Sequence, residues 1–184
     1  GATATAPVVS SVRWDSGAGS GGVPGTRAWG SNAAEHFYAL VKSGFYDEGY
    51  FFRVVPNFMV QFGIAADPAV QAKFKGTIKD DPVKESNKKG FVTFAQTSAP
   101  NSRSTQIFVN YKDNSFLDSQ RFAPFGKLTS GMEAVEKISA DAVAKPHQGQ
   151  IRAEGNNYLE ASFPTPATAK PSPPQHSRGA ARRL

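Results

Sequence analysis

Cysteine is absent from the 184 residues. Its absence removes disulfide frameworks, thiolate zinc sites and cysteine nucleophiles together, and leaves the redox compartment open. Histidine is scarce. His36, His147 and His176 show neither H-x-x-x-H nor H-x-H spacing, which argues against a metal site. No G-x-S-x-G occurs, so a hydrolase elbow has no support. No run approaches the ~20 apolar residues of a membrane span. The start, GATATAPVVSSV, has neither the basic nor the apolar segment of a signal peptide.

What is present is an ordinary soluble balance. Hydrophobic residues make up 39% and charged residues 20%, which argues against global disorder. The length suits one domain with tails. The formal charge is +6, but residues 165–184 carry Lys170, Arg178, Arg182 and Arg183 and no acid, leaving +2 for the rest. A body at +2 lacks the signature of a nucleic-acid binder. The tail reads as a solubilising extension. Five of the 13 prolines fall between Pro164 and Pro174, so that stretch is expected to be disordered and partly extended. The organisation expected is an N-terminal extension (1–7), one domain (8–163) and a basic Pro-rich tail (164–184).

Val8 to Trp14 reads as a strand. GAGSGGVPG, residues 17–25, reads as a loop. Its formal G-x-G-x-x-G match (Gly17, Gly19, Gly22) is followed by Val23-Pro24-Gly25 where a phosphate-binding helix would have to start, so a dinucleotide reading fails. Asn32 with Glu35 suggests a capped helix start. Ala33, Phe37, Leu40 and Val41 then form one apolar face, and Gly44 stands where a helix ends. Two short strands are expected between Phe51 and Phe62, split by Pro56-Asn57. Residues 64–89 read as a polar surface excursion, with Asp80-Asp81 before Pro82 as a solvated turn. Strands follow at Gly90–Gln96, Gln106–Asn110 and Phe125–Leu128. Ser130 with Glu133 suggests a second capped helix, and Ile151–Leu159 a last strand. The sum is a mainly β fold: a closed antiparallel barrel with two capping helices.

One segment stands out. FFRVVPNFMVQFG, residues 51–63, sets Arg53 inside an apolar run, where a charge is costly unless it is used. Strand alternation puts Arg53 on one face with Phe51 and Val55, and Met59 with Gln61 on another. Composition alone favours a core arginine paired to an acid.

This segment resembles the F-x-R-[VI]-[IV]-x-x-F-[MV]-x-Q-x-G signature of the cyclophilins, the peptidyl-prolyl cis–trans isomerases. EHFYALVKSGFYDEGYFF (35–52), VTFAQTSAPNSRSTQIFVN (92–110) and FLDSQRFAPFGKLTSGMEAVEKI (116–138) resemble further segments of that family, in order. The similarity covers roughly residues 31–160. It implies a barrel of about eight strands, action on Xaa-Pro bonds in peptides and folding proteins without a cofactor or metal, and a monomer. By resemblance Arg53 is the catalytic arginine. Phe58, Met59, Phe108, Leu117 and Phe122 line the proline pocket. Gln61 sits beside Arg53, Ala95 and Gln96 hold the residue before proline, and Phe116 stands at the rim.

Three departures are visible. Phe122 stands where the family usually has His, with one residue extra between Leu117 and Phe125. Phe116 replaces a frequent Trp and removes an indole donor, which weighs against tight cyclosporin binding. SGGVPGTR replaces the usual second strand near residues 19–26, so that strand is expected to be irregular. Two other classes of reading stay open on sequence: a proline-peptide-binding module or chaperone without turnover, and a tail-driven nucleic-acid or membrane-surface protein.

Overall fold

The computed structural model describes residues 8–16, 19–138 and 146–163. The expected N-terminal extension and Pro-rich tail lie outside the described residues. Seven strands form one antiparallel sheet: β1 (Val8–Ser16), β2 (Gly19–Thr26), β3 (Arg53–Val55), β4 (Met59–Phe62), β5 (Phe91–Phe94), β6 (Ile107–Asn110) and β7 (Pro124–Lys127). Their order is β1-β2-β7-β5-β6-β4-β3. The expectation was about eight strands in a closed barrel. Among the described residues no ladder joins the edge strands β1 and β3, so hydrogen bonds leave this sheet open.

The helices differ more from expectation. There are five among the described residues instead of two: α1 (Ser31–Lys42), α2 (Pro68–Lys73), α3 (Met132–Glu136), α4 (Gln148–Glu154) and α5 (Asn156–Ser162), plus a 3-10 turn at Ser115–Leu117. The last expected strand, Ile151–Leu159, is therefore a helix pair. Ile151 of α4 and Leu159 of α5 are both buried, packed against Phe52 and Ile64.

Glycine explains two of these features. Residues 17–25 were expected to be a loop, yet β2 pairs with β1 from Gly19 to Thr26, apart from a shift near Val8. Helix α1 crosses close above it. A Cβ at Gly25 would lie 3.3 Å from Phe37 Cδ1 and 3.7 Å from Ala34 Cβ, so Gly25 lets the helix approach this strand closely. The strand is irregular on its other side, as anticipated. Its ladder to β7 is one pair, Gly25↔Gly126, with a bridge at Gly22↔Ser130.

At the α4–α5 junction Gly155 has φ +63, and a Cβ there would overlap Ala66 O and lie 2.9 Å from Pro68 Cδ. Asn156 N donates to Ala66 O at 3.0 Å. The helix pair is thus pinned to the start of α2. Gly155→Ala is expected to destabilise the protein by about 1–3 kcal/mol, combining backbone strain and clash. Urea unfolding checks it, and a change within ~0.3 kcal/mol would show that the junction relaxes freely.

Both helix starts lack the expected side-chain caps. Gly30 and Gly131 are the N-cap residues of α1 and α3, and neither supplies a capping side chain. Glu35 instead pairs with Arg27. The cap of α1 comes from far along the chain: Asn32 N and Ala33 N donate to the Asp81 carboxylate at 3.1 and 2.8 Å. Asp81 is 5% exposed. The solvated turn expected at Asp80-Asp81 is therefore wrong, because an acid at a helix N-terminus satisfies orphan N–H groups and meets the positive end of the dipole. The polar excursion also carries Asn87, fully buried, so it is part of the interior and not only surface.

The two faces of the sheet are unlike. One face carries Val60, Phe62, Val92, Phe94, Ile107, Val109 and Phe125, packed against Phe37, Leu40 and Val41 of α1 and Val135 of α3. The alternate residues, Met59, Gln61, Thr93, Phe108 and Asn110, lie on the opposite face by strand alternation. That second face carries the site. Among the described residues no helix is long and apolar enough to cross a membrane.

Candidate active site

The registers Arg53↔Gln61 and Gln61↔Phe108 place three side chains in a row across β3, β4 and β6. One register step along, Val55 pairs with Met59. Phe51 does not join Arg53 on this face as alternation suggested. It precedes the first β3 residue and packs against Phe62 in the core, with ring centroids 4.8 Å apart. Arg53 is exposed. Its Nη1 donates to Gln61 Oε1 at 3.0 Å, and no carboxylate pairs with it among the described residues. The paired core arginine that composition favoured does exist, but at Arg103, whose side chain is 0% exposed and lies near Asp80 and Asp81.

Beside Arg53 is an apolar slot. Met59, Phe108 and Leu117 are buried together, with Phe58, Ala95 and Phe122 packed against them. Phe122 meets Phe108 edge-on, centroids 5.8 Å apart at 73°. Phe116, 54% exposed, stacks on Phe58 at 5.8 Å. All of these residues, with Arg53, Gln61 and Gln96, line one open groove of about 490 Å³. The ten residues singled out from the sequence are therefore brought together.

Sequence reasoning missed the polar side of the groove. Gln61 Nε2 donates to Gln106 Oε1 at 2.7 Å, and Gln106 Nε2 donates to Gln148 Oε1 at 3.2 Å. A chain of three glutamines thus orients the acceptor that holds Arg53. Gln106 was legible, since it shares β-parity with Phe108. Gln148 and Arg152, four apart on α4 and both lining the groove, were hidden because that region read as a strand. Thr97, Ser102, Ser104 and Gln120 complete the missed wall. Ser104 O accepts from His36 Nε2 at 2.6 Å, which fixes the proton on Nε2. Burial pulls this imidazole below its ordinary pKa, opposed in part by that hydrogen bond.

The walls are tethered by hydrogen bonds between polar groups. Ala95 N donates to Gln106 O at 2.9 Å. Gln96 Nε2 donates to Gln120 O at 2.8 Å, and its Oε1 accepts from Arg103 Nε at 3.2 Å. Asn114 Nδ2 donates to Phe58 O at 2.9 Å, and Asn87 Nδ2 to Phe122 O at 2.8 Å.

Asp118 anchors the loop that carries Leu117 and Phe122. Its carboxylate accepts from Ser86 Oγ at 2.5 Å, from Asn87 Nδ2 at 2.7 Å and from Asn87 N at 3.0 Å. Burial raises its pKa, but these donors outweigh burial and hold it below the ordinary value of 3.8. A depressed carboxylate contributes stability that is present above the unfolded pKa and lost as pH falls through the folded one. Asp118→Ala should therefore cost about 1–3 kcal/mol at pH 7, and the gap to the parent should narrow below about pH 4. Urea melts at both pH values check this. A gap that does not change with pH would contradict it.

Comparison with known proteins gives a consistent result. The family model described as cyclophilin type peptidyl-prolyl cis-trans isomerase/CLD matches residues 30–155. The chain is 38% identical over 117 residues to peptidyl-prolyl cis-trans isomerase A of Dickeya dadantii, covering 58% of this chain and 59% of that protein. It is 36% identical over 117 residues to a peptidyl-prolyl cis-trans isomerase of Acinetobacter baylyi, covering 58% and 60%. The chain thus spans about three-fifths of the length of these relatives. Among solved structures it resembles a cyclophilin type peptidyl-prolyl cis-trans isomerase of Cryptosporidium parvum, crystallised in the presence of the dipeptide Ala-Pro. That likeness has a TM-score of 0.60 and 26% identity, over 74% of this chain and 91% of that one. With more than half its residues inside the family model and the groove assembled from the motif residues, this chain belongs to the cyclophilin-type peptidyl-prolyl cis-trans isomerase family.

Proposed function

We propose that this chain is a peptidyl-prolyl cis–trans isomerase acting on Xaa-Pro bonds in peptides and in folding proteins. The observation that carries the reading is Arg53: an exposed guanidinium, held among the described residues through Gln61 alone, beside an apolar slot. We assign the activity to residues 8–163.

A peptide bond resists rotation by ~18–20 kcal/mol because nitrogen shares its lone pair with the carbonyl. Before proline the cis and trans forms are close in energy but exchange in tens of seconds or longer. At the twisted midpoint the lone pair is localised on the proline nitrogen. A guanidinium near that nitrogen donates to it there and not in the planar ground states, which is differential binding of the transition state. Arginine suits the role because it stays charged and presents a rigid fork of donors. The slot formed by Met59, Phe108, Leu117 and Phe122 grips the ring, and Ala95 and Gln96 receive the preceding residue, so the carbonyl between them is the part that turns. The apolar walls exclude water and strengthen the arginine field. The step makes and breaks no covalent bond.

The test is a chromogenic tetrapeptide with a central Ala-Pro bond, followed by an isomer-selective protease. The expected result is a first-order rate that rises linearly with protein concentration. No acceleration at protein concentrations that demonstrably bind the peptide would reassign the groove to a binding module.

A further inference from the structure

A second recess of about 420 Å³, bounded by α2 and α4, adjoins the groove at Ser104. Ser104 and Arg152 line both, so the two cavities adjoin. The recess adds Lys75 to its wall. Across both cavities the charged lining residues are Arg53, Arg152 and Lys75, and no carboxylate lines either one among the described residues. The acid adjoining the recess in sequence, Asp67, is occupied. It caps α2, its Oδ1 accepting from Ala69 N at 2.7 Å. Arg152 is exposed and has no ion-pair partner among the described residues.

Arg152 is also well placed. It sits in the last turn of α4, and that helix is pinned to α2 through Gly155 and Asn156 as described above. Its neighbour four residues earlier, Gln148, joins the glutamine chain behind Arg53. A cation held on a rigid element beside a water-accessible recess favours negative charge there.

From this geometry we infer that the recess is a specificity site for an acidic side chain on the N-terminal side of the substrate proline. The inference rests on the isomerase reading. On the isomerase reading proline occupies the apolar slot and the residue before it lies at Ala95 and Gln96, and the next lining residues, Thr97, Ser102 and Ser104, lead to Arg152. The groups facing the incoming side chain are Arg152 from α4, Lys75 after α2, Gln71 of α2 and Ser104.

The experiment uses the full chain and two peptide sets, with Glu, Gln or Lys placed two or three residues before an Ala-Pro bond. The expected order of kcat/KM is Glu above Gln above Lys. Glu should exceed Lys by about fivefold at low salt, the range of a partly exposed ion pair, and the preference should shrink at high ionic strength. Arg152→Glu should reverse the order, and Lys75→Glu should move it the same way by less. Both side chains lie on the surface, so thermal melts verify that the variants fold. Peptide affinity is measured in parallel by fluorescence anisotropy. Equal values for Glu and Lys peptides in the parent, or a preference that Arg152→Glu leaves in place, overturns the inference. Absence of turnover for every peptide, with the Glu preference intact in binding, overturns the isomerase reading and supports the acidic subsite.

Discussion

Arg53→Ala is expected to lower kcat/KM on an Ala-Pro peptide by roughly two to three orders of magnitude, the usual cost of removing one preorganised donor from a site of developing charge. The fold should be untouched. Arg53 is exposed, lies on the edge strand β3, and makes one side-chain hydrogen bond, to Gln61 Oε1. Surface changes of that kind usually stay within ±0.5 kcal/mol. The loss should fall on kcat and not on KM, because a donor that engages nitrogen only at the twisted midpoint adds nothing to ground-state binding. Arg53→Lys sharpens the test. It keeps a positive charge but not the fork that lets one nitrogen stay on Gln61 while another faces substrate. A large part of the loss should therefore persist in the lysine variant. A KM effect with kcat unchanged would mean that Arg53 only binds.

Arg103→Met should give the largest loss of stability, about 3–5 kcal/mol, as when one partner of a buried charge cluster is removed. For a domain of this size that lowers Tm by roughly 10 °C. Arg103 has a fully buried side chain. Its Nε lies 3.6 Å from Asp80 Oδ1, and its Nη1 lies 3.9 Å from Asp81 Oδ2. It also donates from Nη2 to Arg121 O at 2.8 Å and from Nε to Gln96 Oε1. Burial pulls its pKa down, and the two carboxylates oppose that pull. Methionine would fill much of the volume but leave Asp81 facing a cavity with only the α1 N-terminus to answer its charge. Arg121→Gln provides the contrast. Arg121 is about half exposed and lies 3.6 Å from Asp80 Oδ2, so its loss should cost under about 1 kcal/mol. Chemical denaturation of the two variants decides it. Similar small losses in both would mean that the Arg103 cluster contributes little to stability.

These two arginines show what was legible in the sequence. Arg53 stood in a motif dense enough to identify, and the ten residues that the resemblance pointed to line one groove. Nothing local distinguishes Arg103. It lies in a run of Ser, Thr, Asn and Gln that reads as loop, and its partners Asp80 and Asp81 are more than twenty residues away, Asp81 also capping the start of α1. The same long-range cap defeated the Asn32–Glu35 reading, which assumed that helix ends are satisfied nearby, while at α3 Gly131 holds the N-cap position expected for Ser130. The second strand was misjudged for the opposite reason. Its glycines signal a loop by propensity, yet one of them, Gly25, packs closely under the crossing helix. The α4–α5 pair was lost because a short apolar segment does not separate strand from helix by spacing alone. With that pair went Gln148 and Arg152, the part of the groove that the family motif does not contain.

The central claim is that a guanidinium beside an apolar slot speeds rotation about a prolyl bond. Exchange NMR on one Xaa-Pro peptide, with catalytic amounts of the full chain and of Arg53→Ala, tests it most directly. The prediction is cross-peaks between cis and trans resonances with the parent, none above background with the variant, and similar peptide-induced shifts at Phe108 and Phe122 in both. Exchange of equal rate with parent and variant would contradict the account.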